Sequence, residues 1–122
     1  MNVLYIDDDL DDAEIFLEAA KKIDLINNCT VAHTGADAIK LVSENCPDYI
    51  FLDYRMPKMD GVKVLAEIKK SECTAKVIMY SDFSQQAYLD ECREKGAFDC
   101  WQKLTSIEDL RSKLQTLFVA NC

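Results

Sequence analysis

The segment that decides the fold lies in the middle of the chain and reads Pro47-Asp48-Tyr49-Ile50-Phe51-Leu52-Asp53-Tyr54-Arg55-Met56-Pro57-Lys58-Met59-Asp60-Gly61. Its run Tyr49–Leu52 is apolar at four consecutive positions, which is the pattern of a short strand covered on both faces. An acid, Asp53, follows this run directly, and Pro57 and Gly61 mark a turn after it. The segment therefore predicts a buried strand that delivers a carboxylate at its carboxyl end.

Four further short apolar runs occur along the chain, at Val3–Ile6, Cys29–Ala32, Val77–Tyr80 and Phe98–Trp101. The segments between the runs carry apolar residues at the three-to-four spacing of amphipathic helices. The clearest helical faces are Ala13, Phe16, Leu17 and Ala20 near the start and Ile107, Leu110, Leu114, Leu117 and Phe118 near the end. Alternating strands and helices form right-handed βαβ units. The sequence thus predicts a single α/β domain over residues 1–122, with a doubly wound five-stranded parallel sheet flanked by five helices.

Local signals place several helix boundaries. Thr34 and Thr105 each precede an acid by three residues, as in a capping box. Ser84 and Asp60 are predicted N-caps, and Gly96 is predicted to end a helix with a positive φ.

The chain of 122 residues has 14 basic and 22 acidic side chains, a formal net charge of -8. Such a charge opposes binding to nucleic acid and to anionic membranes, and it suits protein partners or bound cations. The longest apolar run near the start has only four residues, which predicts neither a signal peptide nor membrane insertion. Because no secretion signal is predicted, a cytoplasmic protein with six reduced cysteines is expected. The cysteine spacing contains no CxxC pattern of a redox or zinc site.

Polar residues follow four of the five predicted strands. Asp7 and Asp8 follow the first run, Asp53 the third, Ser81 the fourth, and Lys103 lies just beyond the fifth. Ligands of doubly wound sheets bind beyond the carboxyl ends of the strands, so these side chains are expected to share one site. Clustered carboxylates suit Mg²⁺ or Mn²⁺, and a lysine and a hydroxyl beside them can hold phosphoryl oxygens. The pattern therefore predicts a divalent metal site at which a carboxylate acts as nucleophile.

These segments together resemble the receiver domain of bacterial two-component response regulators, over essentially the whole chain. The residues that carry the resemblance are Val3–Asp9, Pro47–Gly61, Val77–Ser81, Gly96-Ala97 and Lys103. The resemblance implies a flavodoxin-like, or CheY-like, fold with strand order 2-1-3-4-5.

The resemblance also implies roles for the site residues. Asp53 would be the phosphoacceptor. Asp8 and Asp53 would bind Mg²⁺ (or Mn²⁺) directly, together with the backbone carbonyl of Arg55, and Asp7 would act through a metal-bound water. By the same resemblance, Lys103 and Ser81 would bind the phosphoryl group once it is attached, and the movement of Ser81 would be the switch.

Three positions depart from the pattern of that family. Asp82 stands where a small residue usually follows the switch hydroxyl, so it should hinder anionic phosphodonors. Leu104 stands where a cis proline commonly follows the lysine, so a trans bond is expected after Lys103. Cys100 occupies the place of the aromatic residue that usually moves between states, and Trp101 comes next.

The resemblance implies partners as well. A sensor histidine kinase or a phosphotransfer protein would supply the phosphoryl group, and an unknown downstream protein would receive the signal, since the chain leaves no room for an output domain. A phosphorylation-linked homodimer and a place inside a phosphorelay both remain open. The alternatives are a receiver-like adaptor that works without phosphorylation and, less favoured, a flavodoxin-like cofactor binder. For Asp9, Asp11 and Asp12, first-turn positions in the first helix are favoured over metal ligation.

Overall fold

The computed structural model describes residues 1–54, 60–82 and 86–121, with only the backbone described for 86–88. Within these ranges five strands alternate with five helices. The strands are β1 (Asn2–Ile6), β2 (Asn28–Ala32), β3 (Tyr49–Leu52), β4 (Lys76–Ser81) and β5 (Asp99–Gln102). The helices are α1 (Leu10–Ala20), α2 (Gly35–Glu44), α3 (Gly61–Lys70), α4 (Gln86–Glu94) and α5 (Ile107–Ala120).

All neighbouring strands are parallel, and the order in the sheet is β2-β1-β3-β4-β5. The doubly wound fold and its strand order are therefore confirmed. The register is regular: Ile6 pairs with Leu52, and Leu52 pairs with Met79. Strands β1, β3 and β4 consequently end at the same edge of the sheet, and this edge carries the acids that follow them.

Helices cover the sheet on both faces, and β3 lies between the two layers. Tyr49 and Phe51 face a core formed with α1 and α5. Ile50 and Leu52 face a second core formed with α2, α3 and α4. All four residues are at most 3% exposed, which explains why this strand shows an unbroken apolar run in the sequence.

Most of the boundary signals act as predicted. Thr34 and Asp60 cap α2 and α3 by accepting backbone N–H groups, and Gly96 has a φ of 99°. For α5 the N-cap predicted from the sequence is one residue too early. Ser106, not Thr105, is the N-cap, because its hydroxyl accepts the Asp109 N–H at 3.2 Å. The predicted cap Ser84 lies outside the described residues.

Strand β5 begins one residue later than the apolar pattern indicates. Phe98 is 46% exposed and precedes the strand, and its backbone N–H donates to the Val77 carbonyl at 2.7 Å. Its ring lies 5.2 Å from the ammonium of Lys76, so a cation–π contact takes the place of burial. Phe98 had suggested a strand residue because aromatic side chains favour strands, but here its hydrophobicity serves a surface contact.

Helix α5, with 14 residues, presents the predicted apolar face to the sheet. Leu110, Leu114, Leu117 and Phe118 are buried, and Ile107 is partly buried against the same cluster. In the parts of the chain that the structure describes, no helix combines the length and apolarity needed to cross a bilayer.

Two cysteines form a disulfide, so the expectation that all six are reduced was wrong. Cys46 and Cys73 are joined, with their Cα atoms 5.3 Å apart. Cys46 lies between α2 and β3, and Cys73 lies between α3 and β4. Because β3 and β4 are neighbours, the loops that enter them meet at the amino-terminal edge of the sheet. The separation of 27 positions along the chain concealed this proximity in the sequence.

Candidate functional site

The carboxyl-terminal edge of the sheet brings the predicted site residues together. Asp7 continues β1 through a bond from its N–H to the Ala32 carbonyl at 3.0 Å, and Asp53 continues β3 through a bond to the Ile6 carbonyl at 2.9 Å. Ser81 is the last residue of β4, and Lys103 follows β5. Four of the five strands, β1, β3, β4 and β5, thus each position one functional group through the backbone ladder of the sheet.

An open cleft of about 340 Å³ lies at this edge. It is lined by Asp8, Asp9, Asp12, Asp53, Ser81, Asp82 and Lys103. The backbone carbonyl of Arg55, which was predicted as a metal ligand, lies outside the described residues.

Three carboxylates are close enough to hold one cation. One oxygen each from Asp7, Asp8 and Asp53 lies within 4.8 Å of the others. Asp7 is fully buried, Asp53 is 7% exposed, and Asp8 is exposed to the cleft. Mg²⁺ prefers oxygen ligands, uses one or two carboxylates and keeps several waters, so this donor set at the wall of an open cleft fits such an ion.

Lys103 is the cation within this acidic group. Its Nζ lies 2.8 Å from Asp7 Oδ2, 2.7 Å from Asp12 Oδ2 and 3.7 Å from Asp53 Oδ1. The Lys103 side chain is only 8% exposed, so the pairs with Asp7 and Asp53 are shielded from water. The ammonium therefore lies beside the predicted nucleophile, Asp53.

Burial and hydrogen bonding compete at the pair formed by Asp7 and Lys103. Burial acts to raise the pKa of Asp7, but bonds from Lys103, the Asp9 N–H and the Tyr5 hydroxyl outweigh it and lower that pKa. Burial likewise acts to lower the pKa of Lys103, but its bonds to Asp12 and Asp7 raise the net value above 10.5. Both groups are therefore charged at neutral pH.

The sequence did not reveal two residues of this network. Asp12 is a first-turn residue of α1, as expected, but its carboxylate also binds Lys103. Tyr5 donates its hydroxyl to Asp7 Oδ2 at 2.7 Å from inside the core. For Asp12 the only signal was that five of the six residues 7–12 are aspartate. The sequence contained no signal that Tyr5 would contact the site, since an aromatic residue is common in a strand.

The three departures from the family pattern can be located in the structure. Asp82 is exposed at the cleft. The described residues contain no cis peptide bond, so the bond between Lys103 and Leu104 is trans, as predicted. Cys100 is partly buried in the core of the α2, α3 and α4 layer, where burial and the neighbouring Cys92 raise its pKa to about 12.

Comparison with known proteins agrees with this geometry. The family model described as the response regulator receiver domain matches residues 3–115. The probable C4-dicarboxylate response regulator DctR of Bacillus subtilis is 32% identical over 113 residues, which are 93% of this chain and 50% of that protein. The chemotaxis protein CheY of the same organism is 36% identical over 93 residues, 74% of this chain and 78% of that protein. The chain thus spans half the length of the first relative and most of the second.

A solved structure of a response regulator has a similar fold. The crystal structure of the Mn²⁺-bound response regulator Rcp1 superposes with a TM-score of 0.79 over 95% of this chain and 90% of that one, at 22% identity. With the sheet order, the acidic cleft and the match across residues 3–115, the conclusion is that this chain belongs to the response regulator receiver domain family.

Proposed function

We propose that this protein is a phosphoacceptor of a two-component system, with Asp53 as the acceptor. The observation that carries the proposal is the close grouping of Asp7, Asp8 and Asp53, with the ammonium of Lys103 3.7 Å from Asp53. A carboxylate held between a metal site and a lysine is suited to phosphoryl transfer, in which positioning and charge neutralisation are most of the catalysis.

The proposed reaction starts from a phosphohistidine on a sensor histidine kinase or a phosphotransfer protein. An Asp53 carboxylate oxygen forms a bond to phosphorus while the histidine N–P bond breaks, and the bonding electrons stay on the imidazole nitrogen. Lys103 neutralises charge on the phosphoryl oxygens as they arrive. The product is an aspartyl phosphate. The protein would catalyse only its own phosphorylation and the hydrolysis of this aspartyl phosphate.

Mg²⁺ (or Mn²⁺) is the proposed cofactor. Asp8 and Asp53 would hold it with the backbone carbonyl of Arg55, and Asp7 would act through a water. When bound, the ion supplies positive charge that offsets the repulsion between carboxylates and phosphoryl oxygens. The donor set supports this role, and a structural neighbour is described as Mn²⁺-bound.

Ser81 is the proposed switch. It is 2% exposed at the end of β4 and lines the same cleft as Asp53. Phosphorylation adds about 1.5–2 negative charges, and contacts made only in that state can stabilise a second position of this hydroxyl. The altered surface would then bind a downstream protein or a second copy of this chain.

The test is direct phosphorylation. The protein is incubated with Mg²⁺ and acetyl phosphate or a phosphorylated kinase, and intact-mass spectrometry detects the adduct. Asp53→Asn should abolish the adduct. Asp48→Asn is a matched control, because this exposed acid precedes the opposite end of the same strand and should leave the adduct in place.

A wild-type protein that forms no adduct with any donor, and that does not bind beryllofluoride in the presence of Mg²⁺, would contradict the proposal. That result would favour the adaptor that works without phosphorylation, for which the exposed Asp82 at the cleft is the supporting observation. An adduct retained in Asp53→Asn would instead contradict the assignment of the acceptor.

A further inference from the structure

The backbone around Lys103 is held on both sides by two consecutive residues of β4. The Lys103 N–H donates to the Ser81 carbonyl at 2.7 Å. The next N–H, from Leu104, donates to the Tyr80 hydroxyl at 2.9 Å. The second bond exists only because residue 104 is not proline, which has no backbone N–H.

The Tyr80 hydroxyl is a rigid anchor. Tyr80 is 2% exposed, and its ring makes edge-type contacts with Tyr5, Phe16 and Phe51 at centroid distances of 6.0, 6.2 and 6.5 Å. Its hydroxyl also lies 3.4 Å from the Leu104 carbonyl oxygen. The ring cannot turn away without disturbing this cluster, so the hydroxyl fixes the position of the turn at residues 103–104.

The position of this turn determines which acids the Lys103 ammonium can contact. A lysine side chain has four rotatable carbons, and its ammonium must meet Asp7 and Asp12 while staying 3.7 Å from Asp53. A shift of the backbone would keep the contacts with some of these acids and lose others. An anchored backbone selects the arrangement in which the ammonium faces Asp53.

We infer that Tyr80 is a positioning residue for phosphoryl binding, which acts through Leu104 on Lys103. The inference rests on the proposed function, because its consequence is measured at the phosphoryl site. The Tyr80 hydroxyl fixes the backbone of this turn from the core, because it accepts a hydrogen bond from the Leu104 N–H.

The test compares Tyr80→Phe, which removes only the hydroxyl, with Tyr49→Phe, which removes a hydroxyl from the same core cluster at the other end of the sheet. Mg²⁺ affinity is measured by calorimetry and beryllofluoride affinity by Trp101 fluorescence at saturating Mg²⁺. Tyr80→Phe should keep the Mg²⁺ affinity and bind beryllofluoride about 2- to 10-fold more weakly, the range expected for one lost hydrogen bond. Tyr49→Phe should leave both affinities unchanged.

The Lys103→Met variant shows whether Tyr80 influences beryllofluoride affinity by positioning the lysine. In that background Tyr80→Phe should weaken beryllofluoride binding no further, since the group that Tyr80 positions is gone. Additive losses, or a loss of Mg²⁺ and beryllofluoride affinity together, would overturn the inference in favour of a general structural role.

Hydrogen exchange in the metal-free protein tests the contact without phosphoryl chemistry. The Leu104 amide should exchange faster in Tyr80→Phe and at the wild-type rate in Tyr49→Phe. Unchanged exchange of Leu104 would overturn the inference. Faster exchange together with a wild-type protein that binds no beryllofluoride would instead contradict the proposed function.

Discussion

Asp7 shows how much of this site depends on single side chains. Its carboxylate is fully buried, and it accepts bonds from the Tyr5 hydroxyl and Lys103 on Oδ2 and from the Asp9 N–H on Oδ1. A buried charge is stable only with such partners, and the removal of one partner typically costs 3–5 kcal/mol, about the cost of a large core cavity. Because both oxygens already have partners, they fit the proposal that Asp7 would act on a metal ion through a water.

Asp82 allows a prediction about phosphodonor access. An added negative charge at the cleft repels an anionic donor, by about 1 kcal/mol at 4 Å in water and more where water is excluded. Asp82→Ala should therefore react about 5-fold or more faster with acetyl phosphate. The rate of adduct formation measures this. Asp11→Ala removes an equal charge from the first turn of α1, outside the cleft lining, and should change the rate less. Equal rates of adduct formation for Asp82→Ala and wild type would contradict the prediction.

At the scale of the elements, the start of α3 is packed against the backbone of Asp53 and Tyr54. The Gly61 N–H donates to the Tyr54 carbonyl at 2.9 Å. A Cβ at position 61 would collide with the carbonyl oxygen of Asp53 and would lie 2.8 Å from Tyr54 Cα. Both obstacles are backbone atoms, which cannot rotate away as a flexible side chain can.

Gly61→Ala should therefore displace Asp53, the proposed acceptor, and slow phosphorylation. We expect loss of stability and of Mg²⁺ affinity, measured by thermal melting and calorimetry. Gly96→Ala is the control. An alanine there is strained by the positive φ, and the three atoms nearest to its Cβ would belong to the flexible side chain of Lys69, so this variant should lose stability and keep Mg²⁺ affinity. Full Mg²⁺ affinity in Gly61→Ala would show that the backbone of Asp53 and Tyr54 adapts to the methyl group.

The disulfide closes a loop of the chain that contains the proposed acceptor, Asp53. The segment between Cys46 and Cys73 contains β3, Asp53 and α3. Closing a loop of this length removes entropy from the unfolded chain worth about 3–4 kcal/mol. Reduction should lower the free energy of unfolding by about this amount, as measured by urea denaturation with and without a thiol reductant.

The control is the double variant Cys46→Ser with Cys73→Ser, which should be insensitive to the reductant. Cys29→Ser should still respond, because Cys29 is a free thiol. An identical denaturation curve for the oxidised and reduced wild-type protein would contradict the expected stabilisation.

For the whole molecule, part of the negative net charge of -8 lies at one edge of the sheet, where acids line the cleft. Asp7, Asp8 and Asp53 repel one another there, and Lys103 offsets only part of the charge. A cation that binds only the folded state adds stability that grows with its concentration.

Mg²⁺ should therefore raise the melting temperature, with a gain of about 2.7 kcal/mol at 100 times its Kd. Asp8→Asn should abolish this increase, while Asp24→Asn, which removes an exposed acid elsewhere, should keep it. Sodium chloride at matched ionic strength separates ion binding from general screening. An equal increase with sodium would show that no specific site is responsible.

Much of the architecture could be predicted from the sequence because the residues that face the core recur with the period of their helix or strand. The unbroken run Tyr49–Leu52 indicated a strand covered on both faces, and the structure buries all four residues. The alternation of elements then gave the fold class, since right-handed crossovers allow few arrangements. Boundaries were less certain: Ser106 and Phe98 show that caps and strand ends depend on contacts that the local pattern does not contain.

The sequence by itself determined the βαβ order, the central buried strand and the delivery of Asp7, Asp8, Asp53, Ser81 and Lys103 to one edge, because parallel strands end together. Only the tertiary structure decided that Tyr5 and Asp12 hold the buried charges, that Tyr80 holds the turn at Leu104, and that Cys46 bonds to Cys73. Those contacts join residues from different elements, and their distances depend on how helices and loops pack around the sheet. Local periodicity records which face of an element is buried, but it does not record which side chain lies opposite.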